Sequence, residues 1–355
     1  MLDLIKYLLF IVINKLILRL VGILFIFFIF TSISNLSAYA ENKKNIKLMI
    51  SVDWEGDSLF DGNLEAMRRF RDAFPEVKLI HFLNAAYFLQ PGVDKSLVLK
   101  KIKSVIRPGD ELALHIHALE TLVKEAGVPF RDSETFGGYG RSQPVFGILG
   151  HDVPLSIYSE EEIRKLIKTS VKILNENGFN QTFKAFRAAG WSASPQVLNA
   201  LVKEGYQIDS SAVDPEIVGS HVGREKPIYK QVKGLWNNIS IMSNQAFPIN
   251  TSSGSILEVP NNSGLADYLS GEEAFNSFLK MMDSFKQSSN KEPSVIFHYG
   301  FHQETAESYL YHVSIFVNSI KSFINTHPEF TLESSTFSML DLKHTIKKAS
   351  CNAIF

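Results

Sequence analysis

Short apolar runs alternate with amphipathic helical stretches along most of this chain, and that alternation constrains the fold more than any other feature. Ile46–Val52, Val77–Leu83, Glu111–Ile116, Phe183–Phe186, Tyr206–Ile208, Ile256–Val259 and Val295–Phe297 read as strands, with Phe330–Leu332 as a further one. Helical spacing appears between them. Leu64, Met67 and Phe70 mark one helix, and Leu310, Val313, Phe316, Val317, Ile320 and Phe323 mark the inward face of another over Glu304–Asn325. Ser159 with Glu162 and Ser270 with Glu273 have the capping-box spacing. Ser194 followed by Pro195 is a third helix start, and Gly178 and Gly205 are stops. Strands alternating with helices imply parallel β/α units. Seven or eight units favour a barrel over an open sheet. Gly137-Gly138-Tyr139-Gly140 neither follows a strand nor opens a helix, so it reads as loop and not as a dinucleotide fingerprint.

The expected architecture is therefore α/β, a single β/α barrel domain over residues 45–350. The stretch 121–158 has little periodicity and reads as an insertion over one face. Residues 1–40 differ in kind. Lys6, Lys15 and Arg19 precede the run LVGILFIFFIF, and Ala38-Tyr39-Ala40 follows. Basic region, apolar region and small-x-small site are the order of a secretory signal peptide, and the same segment kept in place would be a membrane anchor. On either reading the remainder is expected outside the cytoplasm, in a periplasm, touching membrane only through that segment. Lys+Arg 36 against Asp+Glu 37 offers no basic excess for nucleic acid. The single cysteine, Cys351, excludes an internal disulfide and a cysteine-built zinc site.

Polar residues gather at the strand ends: Asp53-Trp54-Glu55, His115-Ile116-His117, Arg187, Asp209-Ser210-Ser211, Glu258 with Asn261, and His298. In a β/α barrel the C-terminal strand ends converge on one face, which carries the active site. Asp53 and Glu55 are two apart and share a side of an extended chain. Such a pair can divide into a base and a metal ligand. His115 and His117 are also two apart, and two imidazoles with a carboxylate suit one divalent ion, zinc or a similar metal. Trp191, after the small residues Ala188-Ala189-Gly190, allows close approach and stacking of a substrate. Asp209 and Asn261 are the other candidates for substrate contact. His298 ends an apolar strand, His302 follows four residues on, and His151 beside Asp152 is the one histidine of the insertion with polar company.

In this order these segments resemble the polysaccharide deacetylase family, the NodB-homology or carbohydrate esterase 4 group. SVDWEG, ELALHIHALE, FRAAGW, IDSSA and VIFHYG are similar to its five motifs, from about Lys47 to about His302. The resemblance implies a distorted (β/α)7 barrel and removal of N-acetyl groups from a carbohydrate polymer. It implies Asp53 as general base, Glu55 and His115 as metal ligands, Arg187 as holder of the base and His298 as general acid. Two positions depart from the pattern. The usual adjacent Asp-Asp is Asp-Trp-Glu, and Leu119 stands where a second metal histidine is usual, leaving His117 to replace it. Two other readings go with the same residues: hydrolysis of a non-peptide amide in a small molecule, and a glycan-binding or assembly protein without catalysis.

Overall fold

The apolar run that opens the barrel becomes β1 (Lys44–Asp53), and every later strand is placed by reference to it. The structure is a computed structural model that describes Met1, residues 43–287 and residues 294–340. The leader or anchor expected over 1–40, all but Met1, and Cys351 lie outside the described residues. One side of β1 pairs in parallel with β8 (Ser294–His302) from Asn45 to Asp53. Its other side is shared. The first half, Lys44–Leu48, pairs with β9 (Phe330–Ser334), and the second half, Ile50–Asp53, pairs with β2 (Leu79–Leu83). The order continues through β3 (Glu111–Ile116), β4 (Ala185–Ala188), β5 (Ile208–Asp209) and β7 (Gly254–Glu258). All these pairings are parallel, as the alternation implies. β6 (Phe247–Thr251), which the sequence reading passed over, is an antiparallel hairpin partner of β7 at the edge.

Among the described residues no regular strand lies between β7 and β8, and there the barrel is distorted. Irregular backbone at Asn261–Ala266 bridges the gap: the Ser263 N–H donates to His298 O at 3.1 Å, Gly300 N–H to Gly264 O at 2.9 Å, and Ala266 N–H to Gly300 O at 2.9 Å. Gly300 is required by this close approach. A Cβ there would stand 2.5 Å from the Leu265 side chain and 2.8 Å from Ser51 Oγ.

The helices cover the outside. They are α1 (Asp61–Ala73), α2 (Lys95–Lys103), α3 (Glu120–Glu125), α4 (Glu160–Glu176), α5 (Pro195–Lys203), α6 (Pro215–Val222), α7 (Pro227–Trp236), α8 (Gly271–Gln287) and α9 (Ala306–Thr326). The capping boxes at Ser159/Glu162 and Ser270/Glu273 form as read. At α5 the chain starts on Pro195, but the Ser194 hydroxyl makes no capping bond. Inside the barrel, Met49, Ile80, Phe82, Ala113, Leu257 and Ile296 pack on Phe337, which enters from the short turn after β9. The lower interior is therefore largely apolar, with His298 at its upper edge beside Phe337, and polar side chains become common toward the C-terminal strand ends.

Candidate active site

The strand ends surround a cavity of about 550 Å³, lined by Asp53, Glu55, His115, His117, Arg187, Trp191 and His302 among others. The insertion supplies part of its wall through Phe136, Tyr139, His151 and Asp152. Glu55 is placed by a turn at Gly56 (φ +94°), where a Cβ would run into the Asn84 side chain at 2.7 Å. Asn84 Nδ2 donates to Glu55 O, and the Glu55 N–H donates to Glu304 Oε1 at 3.1 Å.

Four imidazoles meet the Glu55 carboxylate. His117 Nε2 is 2.8 Å and His151 Nε2 3.0 Å from Oε2; His115 Nε2 is 3.5 Å and His302 Nε2 3.7 Å from Oε1. The tautomers of two are set by backbone carbonyls: His115 Nδ1 donates to Arg187 O at 2.8 Å, and His117 Nδ1 to His151 O at 2.6 Å. Both Nε2 atoms are then bare lone pairs in the neutral rings. They stand 3.1 Å apart and beside a carboxylate. Three acceptors converging without a proton between them repel one another unless a cation joins them, and a carbonyl on the far ring nitrogen is the usual outer support of a metal-bound histidine. The expected ligands Glu55, His115 and His117 are thus brought together. The structure adds His151, which with Glu55 and His117 forms a group whose ligating atoms all lie within 4.8 Å of one another. Burial raises the Glu55 carboxyl, but His117, His302 and His115 outweigh it and hold it well below the usual range. Burial lowers His117, whereas at His151 the neighbouring Glu55 and Asp57 overcome burial and raise it.

Asp53 is the other carboxylate, nearly fully buried. Its Oδ1 accepts from Arg187 Nη1 at 2.7 Å. Arg187 is itself saturated: Nη1 also donates to Ser51 Oγ at 3.0 Å, Nε to Ser210 O at 2.9 Å and Nη2 to Ser210 Oγ at 3.2 Å. The Phe82 ring lies 4.1 Å beneath the guanidinium.

His298 is not beside the reacting space. It is fully buried beneath Arg187, whose Nη2 donates to its Nε2 at 3.2 Å, with Ser51 Oγ at 3.0 Å from the same nitrogen. Burial and the adjacent Arg187 charge hold it well below the usual histidine range, so it stays neutral. Of the two β8 histidines, His302 is the one that lines the cavity. Its Nδ1 contacts Asp267 Oδ2 at 2.7 Å, and although burial opposes it, Asp267 and Glu55 push its pKa up to about 10. Trp191 lines the cavity as expected, in a left-handed backbone conformation (φ 55°), with Tyr268 edge-on at 5.3 Å. Asp209 and Asn261 do not: both are fully buried in the barrel wall. Glu304, which the sequence reading passed over, reaches the cavity from the turn before α9 and accepts the Tyr87 hydroxyl. Burial, with Glu55 and Asp57 nearby, pushes its carboxyl well above the usual range.

These features define a distorted β/α barrel with a carboxylate–histidine centre at its C-terminal strand ends. No family model matches the chain, and no curated protein matches it. Solved structures do. A Mycobacterium smegmatis protein described as a polysaccharide deacetylase aligns with TM-score 0.50 at 12% identity, over 86% of this chain and 91% of that one. A family 4 carbohydrate esterase from Streptomyces lividans, in complex with acetate, aligns with TM-score 0.38 at 12% identity, over 84% and 95%. A 4-alpha-glucanotransferase from Thermococcus litoralis aligns with TM-score 0.42 at 12% identity, over 83% and 37%. This chain has the fold of the polysaccharide deacetylases, at low sequence identity.

Proposed function

We propose that this protein is a metal-dependent deacetylase that removes N-acetyl groups from a sugar polymer of the cell envelope, outside the cytoplasm. One observation carries the reading. The Nε2 atoms of His115 and His117, each ring held through Nδ1 by a backbone carbonyl, converge on Glu55 within the same cavity as the Asp53–Arg187 pair. Glu55, His117 and His151, with His115 at the same point, would hold one divalent ion, zinc suiting this nitrogen and oxygen set. When bound, such an ion polarises an acetamide carbonyl and lowers the pKa of water toward about 7.

The chain's own residues do the rest. Asp53 accepts the proton of the attacking water. Arg187, locked by two serines, holds Asp53 in place with a charge-assisted hydrogen bond. His302 donates a proton to the departing amine and is kept protonated by Asp267. Trp191 and Tyr268 form an aromatic wall for the sugar. Leu119, at the position where the family pattern expects a histidine, is buried in the core; His117 and His151 supply imidazoles in its place, which weighs against a purely binding role. The test is acetate release from a panel of N-acetylated glycans and small N-acetyl amides, with and without chelator. Release from glycans that stops with chelator supports the reading. Release only from small amides moves the substrate to that class, and none at all overturns it.

A further inference from the structure

Between the base and the carboxylate ligand stands Trp54, which faces away from the cavity, as the residue between two inward-facing neighbours must. It is fully buried. Its Nε1 donates to His81 Nδ1 at 3.3 Å. An indole N–H can only donate, so Nδ1 is the acceptor and the proton of neutral His81 sits on Nε2. Nε2 then donates to Asp110 Oδ2 at 3.2 Å. Asp110 is fixed in turn, because Oδ1 accepts from Arg71 Nη2 at 2.8 Å and the Leu79 N–H at 2.9 Å, while Oδ2 accepts from the Arg107 N–H at 2.8 Å. Every donor direction from Trp54 through His81 to Asp110 is determined, and the side chains of His81 and Asp110 are wholly buried. None of the three lines the cavity.

β2 therefore serves the site from both faces. His81 holds Trp54 on the outside, and the next residue, Phe82, lies under Arg187 on the inside. We propose that His81, oriented by Asp110, is a positioning residue for the metal centre: it anchors the Trp54 indole and so fixes the twist of Asp53-Trp54-Glu55 that turns both carboxylates to one cavity. A glutamate has one more rotatable bond than an aspartate and more freedom to lose, so this site needs its backbone held firmly. The inference rests on the metal reading above.

Trp54→Phe keeps the ring and removes the donor. With folding checked by thermal melting, Co(II) affinity should fall about tenfold and the visible Co(II) spectrum should change, as for loss of outer support to a metal ligand. KM should hold, since Trp54 does not reach the cavity. His81→Asn, whose amide oxygen can replace Nδ1 as acceptor, should keep affinity near wild type. Folded Trp54→Phe with wild-type Co(II) affinity and spectrum overturns the proposal. Should Trp54→Phe not fold, His81→Leu, which offers the indole N–H no acceptor, decides: folded His81→Leu with wild-type Co(II) affinity overturns the proposal, and loss of affinity there with retention in His81→Asn upholds it. If the wild-type chain binds no Co(II), the metal reading fails by itself, and a crystal structure of the variant decides the anchor. Glu55 should then have left its 2.8 Å contact with His117, and a preserved contact overturns the proposal.

Discussion

Asp53 and His302 are register partners on adjacent parallel strands. The closing of β1 on β8 was legible in the sequence, and it does set an acidic residue and a histidine side by side. The partner is His302, however. His298 pairs with Met49, four residues deeper, or about 13 Å down the strand. Base and acid candidates therefore stand at one level of the barrel, and His298 braces the arginine beneath them.

His302→Gln should lower kcat on acetamides by about 10²–10⁴-fold and on activated acetyl esters far less, since an ester with a good leaving group needs little protonation. Steady-state rates on both substrates check this. Equal losses would remove His302 from the acid role.

Asp267→Asn withdraws the anion that holds His302 protonated. A cationic acid that loses its carboxylate partner has a lower pKa, so the alkaline fall in kcat should begin at lower pH than in wild type. A pH–rate profile reads this directly, and an unmoved alkaline limb would contradict it.

Arg187→Lys keeps the charge but cannot reach Asp53, Ser51 and Ser210 at once. It should cost activity by an order of magnitude or more and lower stability by about 1–3 kcal/mol, as for buried acceptors left unsatisfied. Denaturant midpoints and kcat measured together check both parts.

Asp209 and Glu258 are register partners on β5 and β7 and both are fully buried. Ser211 Oγ donates to Asp209 at 2.8 Å and the Ala212 N–H to Glu258 at 2.8 Å. Burial pushes Asp209 up to about 6 and Glu258 well above its usual range. Adjacent buried carboxyls hold a proton that the unfolded chain releases near pH 4. The folded state thus binds more protons, and stability falls as pH rises from about 4 through about 6 and beyond. Glu258→Gln, which cannot ionise, should lose less stability between about pH 5 and about pH 9 than wild type. Unfolding free energies at the two pH values check it; parallel losses in both proteins would contradict the shared proton.

Much of the architecture was readable because it rests on local signals: apolar runs for strands, Ser159/Glu162 and Ser270/Glu273 for helix starts. The two proline-led helices α6 and α7 were passed over although Ile228, Tyr229, Val232 and Trp236 carry helical spacing; Gly219 and Gly234 interrupt the pattern. At the site, the meeting of Glu55, His115 and His117 follows from i and i+2 pairing, because alternation along an extended chain is a local rule. His302 and His151 needed non-local facts. Which histidine of HYGFH reaches the rim depends on how far β8 slides along β1, and His151 arrives on a loop whose path no periodicity records. Asp209 and Asn261 are buried away from the cavity lining, and a strand-end position does not say whether the side chain points to the cavity or into the wall.

Asp53→Asn, compared with wild type for metal content and acetate release in parallel, tests the account most directly. An amide fills the same space and leaves Glu55 and the histidines untouched, but it cannot take a proton from water. The account predicts one divalent ion per chain in both proteins, with turnover present in wild type, abolished by chelator, and absent in the variant. Wild-type-like acetate release from Asp53→Asn would contradict it.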